Sequence, residues 1–234
     1  MADADEEICL IEGSSTLRNV RRDFPEWHLG RSPFVFWALD VDLPAVRDRV
    51  AMAGQHMAGL LLDDYRRQSH ITLDLCGFPA EVQRNPDDFG AEYLQKQCGA
   101  LRLAGLSDFE IELGGLSSFS SAPFLSVVDR GGNITALRKC LAVDGSHRLF
   151  GSYVPHVTVG LYADEWPVEY VKRRLTGFPS GAALSCRIKR VSLMSYSPSE
   201  VAGALDLLGD YWFASGEMRW HAAAGKMGFP DFSG

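Results

Sequence analysis

Residues 68–75 read QSHITLDL, a histidine two places ahead of a threonine inside a run that alternates polar and apolar residues. Successive side chains of a strand point to opposite faces, so His70, Thr72 and Asp74 are expected on one face and Ile71, Leu73 and Leu75 on the other. The apolar face packs inward. The polar face presents a titratable imidazole beside a hydroxyl. The pattern returns at residues 151–162, GSYVPHVTVGLY, where His156, Thr158 and Gly160 share one face and Val157, Val159 and Leu161 the other. A single strand of this kind reads as a solvated sheet face, but two in matched contexts form a specific signal.

Working outward, the chain alternates strand and helix signals in two comparable halves. FVFWALDVD (Phe34 to Asp42) is rich in aromatic and branched residues and predicts a first strand. Pro44 suits the first turn of a helix, expected to run to about Tyr65. After QSHITLDL a helix is expected within DDFGAEYLQKQCGALR, then two strands around a Gly, Ser and Pro turn between Phe109 and Val128. NITALRKCLAV follows as a helix with Asn133 as its cap. The second His-x-Thr strand, a short helix around PVEYVKRRL, one strand at CRIKRVSLMSY and a final apolar piece, ALDLLGDYWFA, complete the pattern. With no low-complexity linker between the halves, one bilobal α+β domain is expected over residues 33–215, with an extension at 1–32 that wraps it and a tail at 216–234.

Composition narrows the function. A formal net charge of −7 over 234 residues argues against a protein that tracks long duplex nucleic acid or sits on an anionic membrane, since both demand a basic surface. A small anionic ligand needs only a local basic cleft. The five cysteines (Cys9, Cys76, Cys98, Cys140, Cys186) are scattered without a C-x-x-C pair and read as reduced thiols of a cytoplasmic protein. The acidic start MADADEEICLIEG is unlike a secretory signal, and no apolar run reaches membrane-spanning length. Metal-ligand spacing, a Gly-rich phosphate loop and a nucleophile elbow are all missing from the sequence, so neither metal nor cofactor is expected.

Cleaving a phosphodiester requires one group to take a proton from the attacking oxygen and another to give one to the departing oxygen. Histidine serves both roles because its ordinary pKa lies near neutrality. Two His-x-Thr strands side by side would set one imidazole on each side of a phosphate, with threonine hydroxyls donating to its non-bridging oxygens. At these residues the chain resembles the 2H phosphoesterase superfamily, the group that includes RNA 2′,3′-cyclic phosphodiesterases, long called 2′-5′ RNA ligases. HITL and HVTV match its paired signature, and FVFWALD, LGGLSSFSSAPFLSV, PHVTVGLY and VSLMSYSP stand in the family's order.

The resemblance implies two pseudo-symmetric lobes of mostly antiparallel sheet with outer helices, and metal-independent catalysis in the cleft between them. It carries the catalytic role to His70 and His156 and phosphate binding to Thr72 and Thr158. The expected substrate is a small nucleotide or short RNA end carrying a cyclic phosphate or a 2′-5′ linkage, handled by a monomer. Arg148 just upstream of the second motif is a candidate phosphate contact, and Phe150, Tyr153, Tyr162 and Phe119 are candidates for stacking on a base. The alternatives are a nucleotide-sensing module without turnover and an interaction domain with a vestigial site. The intact histidine pair favours the enzyme.

Overall fold

The computed structural model describes residues 10–143 and 153–229. Its centre is β1 (Phe34–Asp40), buried on both faces along almost its whole length, as its unbroken apolar run requires. β1 pairs antiparallel with β2 (His70–Pro79) on one side and with β8 (Arg190–Tyr196) on the other. The larger sheet has six strands in the order β10-β9-β8-β1-β2-β3, with β3 at Asp88–Phe89, β9 at Asp206–Trp212 and β10 at Glu217–Trp220. Only the short β2–β3 pair is parallel. The smaller sheet runs β6-β5-β4-β7, built from β4 (Phe109–Ser118), β5 (Pro123–Val128), β6 (His156–Thr158) and β7 (Leu184–Ile188), all antiparallel.

The helices are α1 (Pro25–His28), α2 (Pro44–His56), α3 (Ala91–Leu103), α4 (Asn133–Leu141) and α5 (Val168–Thr176). α3 packs on α4, α4 on β2, and α5 on β4. One continuous core joins both sheets to these helices and includes Trp37, Leu39, Ile71, Leu73, Leu94, Leu125, Val157 and Leu193, each fully buried. A smaller cluster of Phe36, Ala38, Met194 and Leu205 lies on the opposite face of the large sheet, with Leu75 and Tyr196 against it. Among the described residues no helix is long and apolar enough to cross a membrane.

Several expectations are corrected. α2 stops at His56, well before Tyr65, and the chain then turns through Gly59 at φ +84°, a left-handed conformation that a helix cannot continue. Asn133 opens α4 as its first helical residue while Gly132 holds the cap position. The orphan N–H of Ile134 is met instead by the Asp129 carboxylate at 2.6 Å, which also accepts from Asn133 Nδ2. CRIKRVSLMSY is two strands, for the chain leaves the smaller sheet at Ile188 and enters the larger at Arg190. The segment set apart as a tail contributes β10, the edge strand of the large sheet, and a 3-10 helix at Ala222–Met227.

Candidate active site

β1 and β5 each hold one His-x-Thr strand in register. In the large sheet Asp40 faces His70 and Ala38 faces Thr72; in the small sheet Ser126 faces His156 and Phe124 faces Thr158. The two strands thus bring His70, Thr72, His156 and Thr158 into the lining of one cleft of about 460 Å³. The expected alternation holds through Leu73, where Ile71 and Leu73 are fully buried in the core.

It fails at Asp74. Ala38 pairs with Thr72 but Trp37 with Asp74, so Leu73 is an extra residue, a β-bulge that reverses the faces beyond it. Asp74 therefore turns into the core beside Trp37, where its Oδ2 accepts from Gln97 Nε2 at 2.9 Å. Leu75 turns to the cleft-side cluster. The bulge ends the polar stripe after Thr72, so the cleft-lining face of β2 carries one imidazole and one hydroxyl.

The two imidazoles are held alike. His70 Nδ1 donates to the Gln68 carbonyl at 2.7 Å, and His156 Nδ1 donates to the Val154 carbonyl at 2.8 Å. A carbonyl oxygen only accepts, so each Nδ1 carries the proton and each Nε2 is left for a ligand. Ring contacts fix their planes: Phe36 lies 5.5 Å from the His70 ring, while Phe119 at 4.9 Å meets His156 edge-on and Phe124 adds a contact at 5.3 Å. Burial pushes the His70 pKa down to about 4, aided by Arg67 and by the nearby His156. Burial also lowers that of His156. Both rings are therefore neutral at pH 7, and a negative charge brought beside them would oppose that depression by favouring an imidazolium.

The rest of the lining includes groups the sequence reading did not single out. Tyr65 shares a hydrogen bond with Thr158, and its phenol is pushed up by burial. Arg67 lies over the Tyr196 ring at 4.4 Å, and its buried Nε has no hydrogen-bond partner among the described residues. No local pattern marks Tyr65 or Arg67, because their place in the cleft depends on the chain turning after α2 at Gly59. Phe24 and Trp27 arrive from the N-terminal segment, where nothing periodic marks them.

The remaining candidates divide. Phe119 lines the cleft. Tyr162 does not: it is fully buried, its hydroxyl 2.6 Å from Ser118 Oγ, because β6 ends at Thr158 and its alternation does not carry on to residue 162. Tyr153 lies outside the lining and acts from behind, its hydroxyl donating to the Thr72 carbonyl at 2.9 Å with Arg138 stacked over its ring. Arg148 and Phe150 lie outside the described residues. Among the described residues no three His, Cys, Asp or Glu side chains cluster as a metal site would require.

Residues 47–200 match the family model described as the 2′-5′ RNA ligase superfamily. The chain belongs to that family. Its fold agrees: the structure of TT0787 from Thermus thermophilus superposes with a TM-score of 0.52 at 14% identity, covering 77% of this chain and 97% of that one. Escherichia coli LigT in complex with 3′-AMP superposes at 0.50 with 18% identity over 77% and 98% of the two chains. No curated protein matches the sequence. The family match begins at residue 47, so the segment that carries Phe24 and Trp27 into the cleft of this 2H phosphoesterase lies outside it.

Proposed function

We propose that the protein is a metal-independent phosphodiesterase that hydrolyses a 2′,3′-cyclic phosphate end, or a small 2′-5′-linked or cyclic nucleotide, by two-histidine general acid–base catalysis. The carrying observation is the mirrored pair of imidazoles, each with Nδ1 tied to the carbonyl two residues upstream and Nε2 free in one cleft. One neutral Nε2 takes a proton from water as the water oxygen attacks phosphorus. The bond from phosphorus to the ribose 2′ or 3′ oxygen breaks, and the other imidazole, protonated, gives its Nε2 proton to that departing oxygen. Thr72 and Thr158 donate to the non-bridging oxygens, where charge accumulates in the transition state. Arg67, whose Nε has no hydrogen-bond partner among the described residues, adds a cation on the same wall. The 3′-AMP held by LigT is a nucleotide monophosphate of the size this cleft admits.

The test is a panel of 2′,3′-cyclic mononucleotides, cyclic-phosphate-ended oligonucleotides, 2′-5′-linked dinucleotides and cyclic dinucleotides, with products resolved by chromatography. Turnover of at least one class, undiminished in excess chelator, is expected. Loss of turnover on chelation, restored by a divalent ion, overturns the metal-independent mechanism. Tight binding without turnover of any member installs the sensing module instead.

A further inference from the structure

The N-terminal segment builds one wall of the cleft. Asn19 and the residues before it bond the small-sheet lobe, through Thr16 N–H to the Trp166 carbonyl and Asn19 N–H to the Tyr162 carbonyl. The chain then crosses to the large sheet, where α1 is clamped at both ends. His28 Nε2 lies 2.7 Å from Asp23, and Arg31 Nη1 donates to Asp87 and Asp88 at 2.6 Å each while its guanidinium covers Phe78. A four-residue helix has no stability of its own, so these clamps fix its aim.

What they fix is an indole. Trp27 packs against Phe34 and Phe78, each at 5.5 Å, yet remains 41% exposed and lines the cleft. Its neighbour Phe24 also lines the cleft, but Arg22 lies 3.9 Å above that ring and covers a face. Phe34 in turn touches Tyr196 at 5.3 Å, the ring that carries Arg67. Aromatic surface therefore runs from the open indole to the cation beside His70. A large apolar ring held half-open in the same cleft as a guanidinium whose Nε has no hydrogen-bond partner among the described residues suits a ligand that couples a planar ring to a phosphate.

We infer that Trp27 is the nucleobase platform of this cleft, so the segment outside the family match sets substrate choice by stacking on the base next to the scissile phosphate. The inference rests on the phosphodiesterase reading and deepens it: the substrate is a nucleotide, and a phosphodiester without a base is a poor one. Phe24 closes the rim, and the histidines and threonines see only the phosphate.

Binding of adenosine 3′-monophosphate and of inorganic phosphate would be measured by calorimetry on the full chain, comparing wild type with Trp27→Ala, Trp27→Leu and Trp27→Phe. Ala and Leu should weaken the nucleotide about tenfold or more, and Phe far less, because stacking on one aromatic ring accounts for that range. Inorganic phosphate should bind all four alike. Leucine keeps apolar contact with Phe34 and Phe78, so a loss shared by Ala and Leu reports the missing aromatic face and not a loosened helix. Nucleotide binding unchanged in both, nucleotide and phosphate weakened by one common factor, or a wild type that binds neither probe each overturns the platform. The two readings fail separately. Turnover of a cyclic-phosphate nucleotide with KM unchanged in Trp27→Leu removes the platform and leaves the enzyme, whereas Trp27-dependent nucleotide binding without turnover supports the platform and removes the enzyme.

Discussion

At the scale of single residues, the proposed acid–base pair makes both rate and stability follow the titration of two histidines. The folded pKa of His70, about 4, lies below its ordinary value near 6.5, so between these values the unfolded chain binds the extra proton. The stabilisation from keeping this ring neutral is complete above about pH 6.5 and is lost as pH falls toward 4, a swing of roughly 3 kcal/mol. Urea unfolding at pH 7.5 and 4.5 should show this swing in wild type and a clearly smaller one in His70→Asn; equal swings would mean the ring is not held neutral. In the proposed mechanism one imidazole is protonated and the other neutral, which gives kcat/KM a bell against pH. Because burial lowers both pKa values in the free cleft, its maximum is expected below pH 6.5, with limbs that belong to the coupled pair. His70→Ala and His156→Ala should each lower turnover at least about a hundredfold while remaining folded. His70, Thr72, His156 and Thr158 were legible as candidates because a strand's period of two ties a histidine to the threonine beyond it with no knowledge of distant contacts. Arg67 and Tyr65 were not, since their place in the cleft depends on the chain turning after α2 at Gly59, short of where helix-forming composition would end it.

At the scale of elements, β2 departs from its sequence pattern where a partner far along the chain overrides alternation. Gln97, fully buried on α3, accepts from Trp37 Nε1 at 2.8 Å and donates to Asp74 Oδ2 and to the Leu141 carbonyl at 2.9 Å each. This one amide links β1, β2, α3 and α4 behind the bulge that ends the polar stripe at Thr72. No local reading of QSHITLDL reveals it, because the residue that draws Asp74 inward lies 23 positions away. Gln97→Leu fits the volume but removes the bonds to Asp74 Oδ2, Trp37 Nε1 and the Leu141 carbonyl, and a buried indole N–H left without its acceptor costs about 1–3 kcal/mol. A loss of about 1–3 kcal/mol in urea unfolding is expected. Unchanged stability would show that the bulge is set by the pairing of β1 and β2 alone. The same contrast explains why β1 was read correctly and CRIKRVSLMSY was not. Burial on both faces leaves a continuous apolar run, whereas a change of sheet at Lys189 leaves no mark in composition.

At the scale of the whole molecule, the cleft is bordered by two sheets and by a strap that crosses from one to the other. Leu10, Thr16, Leu17 and Asn19 donate backbone N–H groups to carbonyls of the small-sheet lobe, and Arg31 ties the end of the segment to Asp87 and Asp88 beside the large sheet. The strap was illegible as structure because single backbone bonds to distant loops impose no periodicity on sequence. Its firmest anchor is Thr16, fully buried, whose Oγ1 donates to the Asp164 carbonyl and accepts the Trp166 N–H, both at 2.8 Å. Thr16→Val keeps the shape and removes both bonds, leaving a partly buried N–H and carbonyl without partners, so a loss of about 1–3 kcal/mol is expected. A strap that holds the lobes together should also become the first site of limited proteolysis in this variant, since local opening then costs less than global unfolding. The imidazoles are positioned by β1 and β5 and not by the strap, so turnover at saturating substrate should stay near wild type while KM rises as α1 loses its aim. Cleavage at the same rate in both proteins, with stability unchanged, would make residues 10–32 a passive covering. A fall in saturating turnover as large as that of a histidine variant would mean that the strap, and not the two sheets alone, sets the spacing of the catalytic pair.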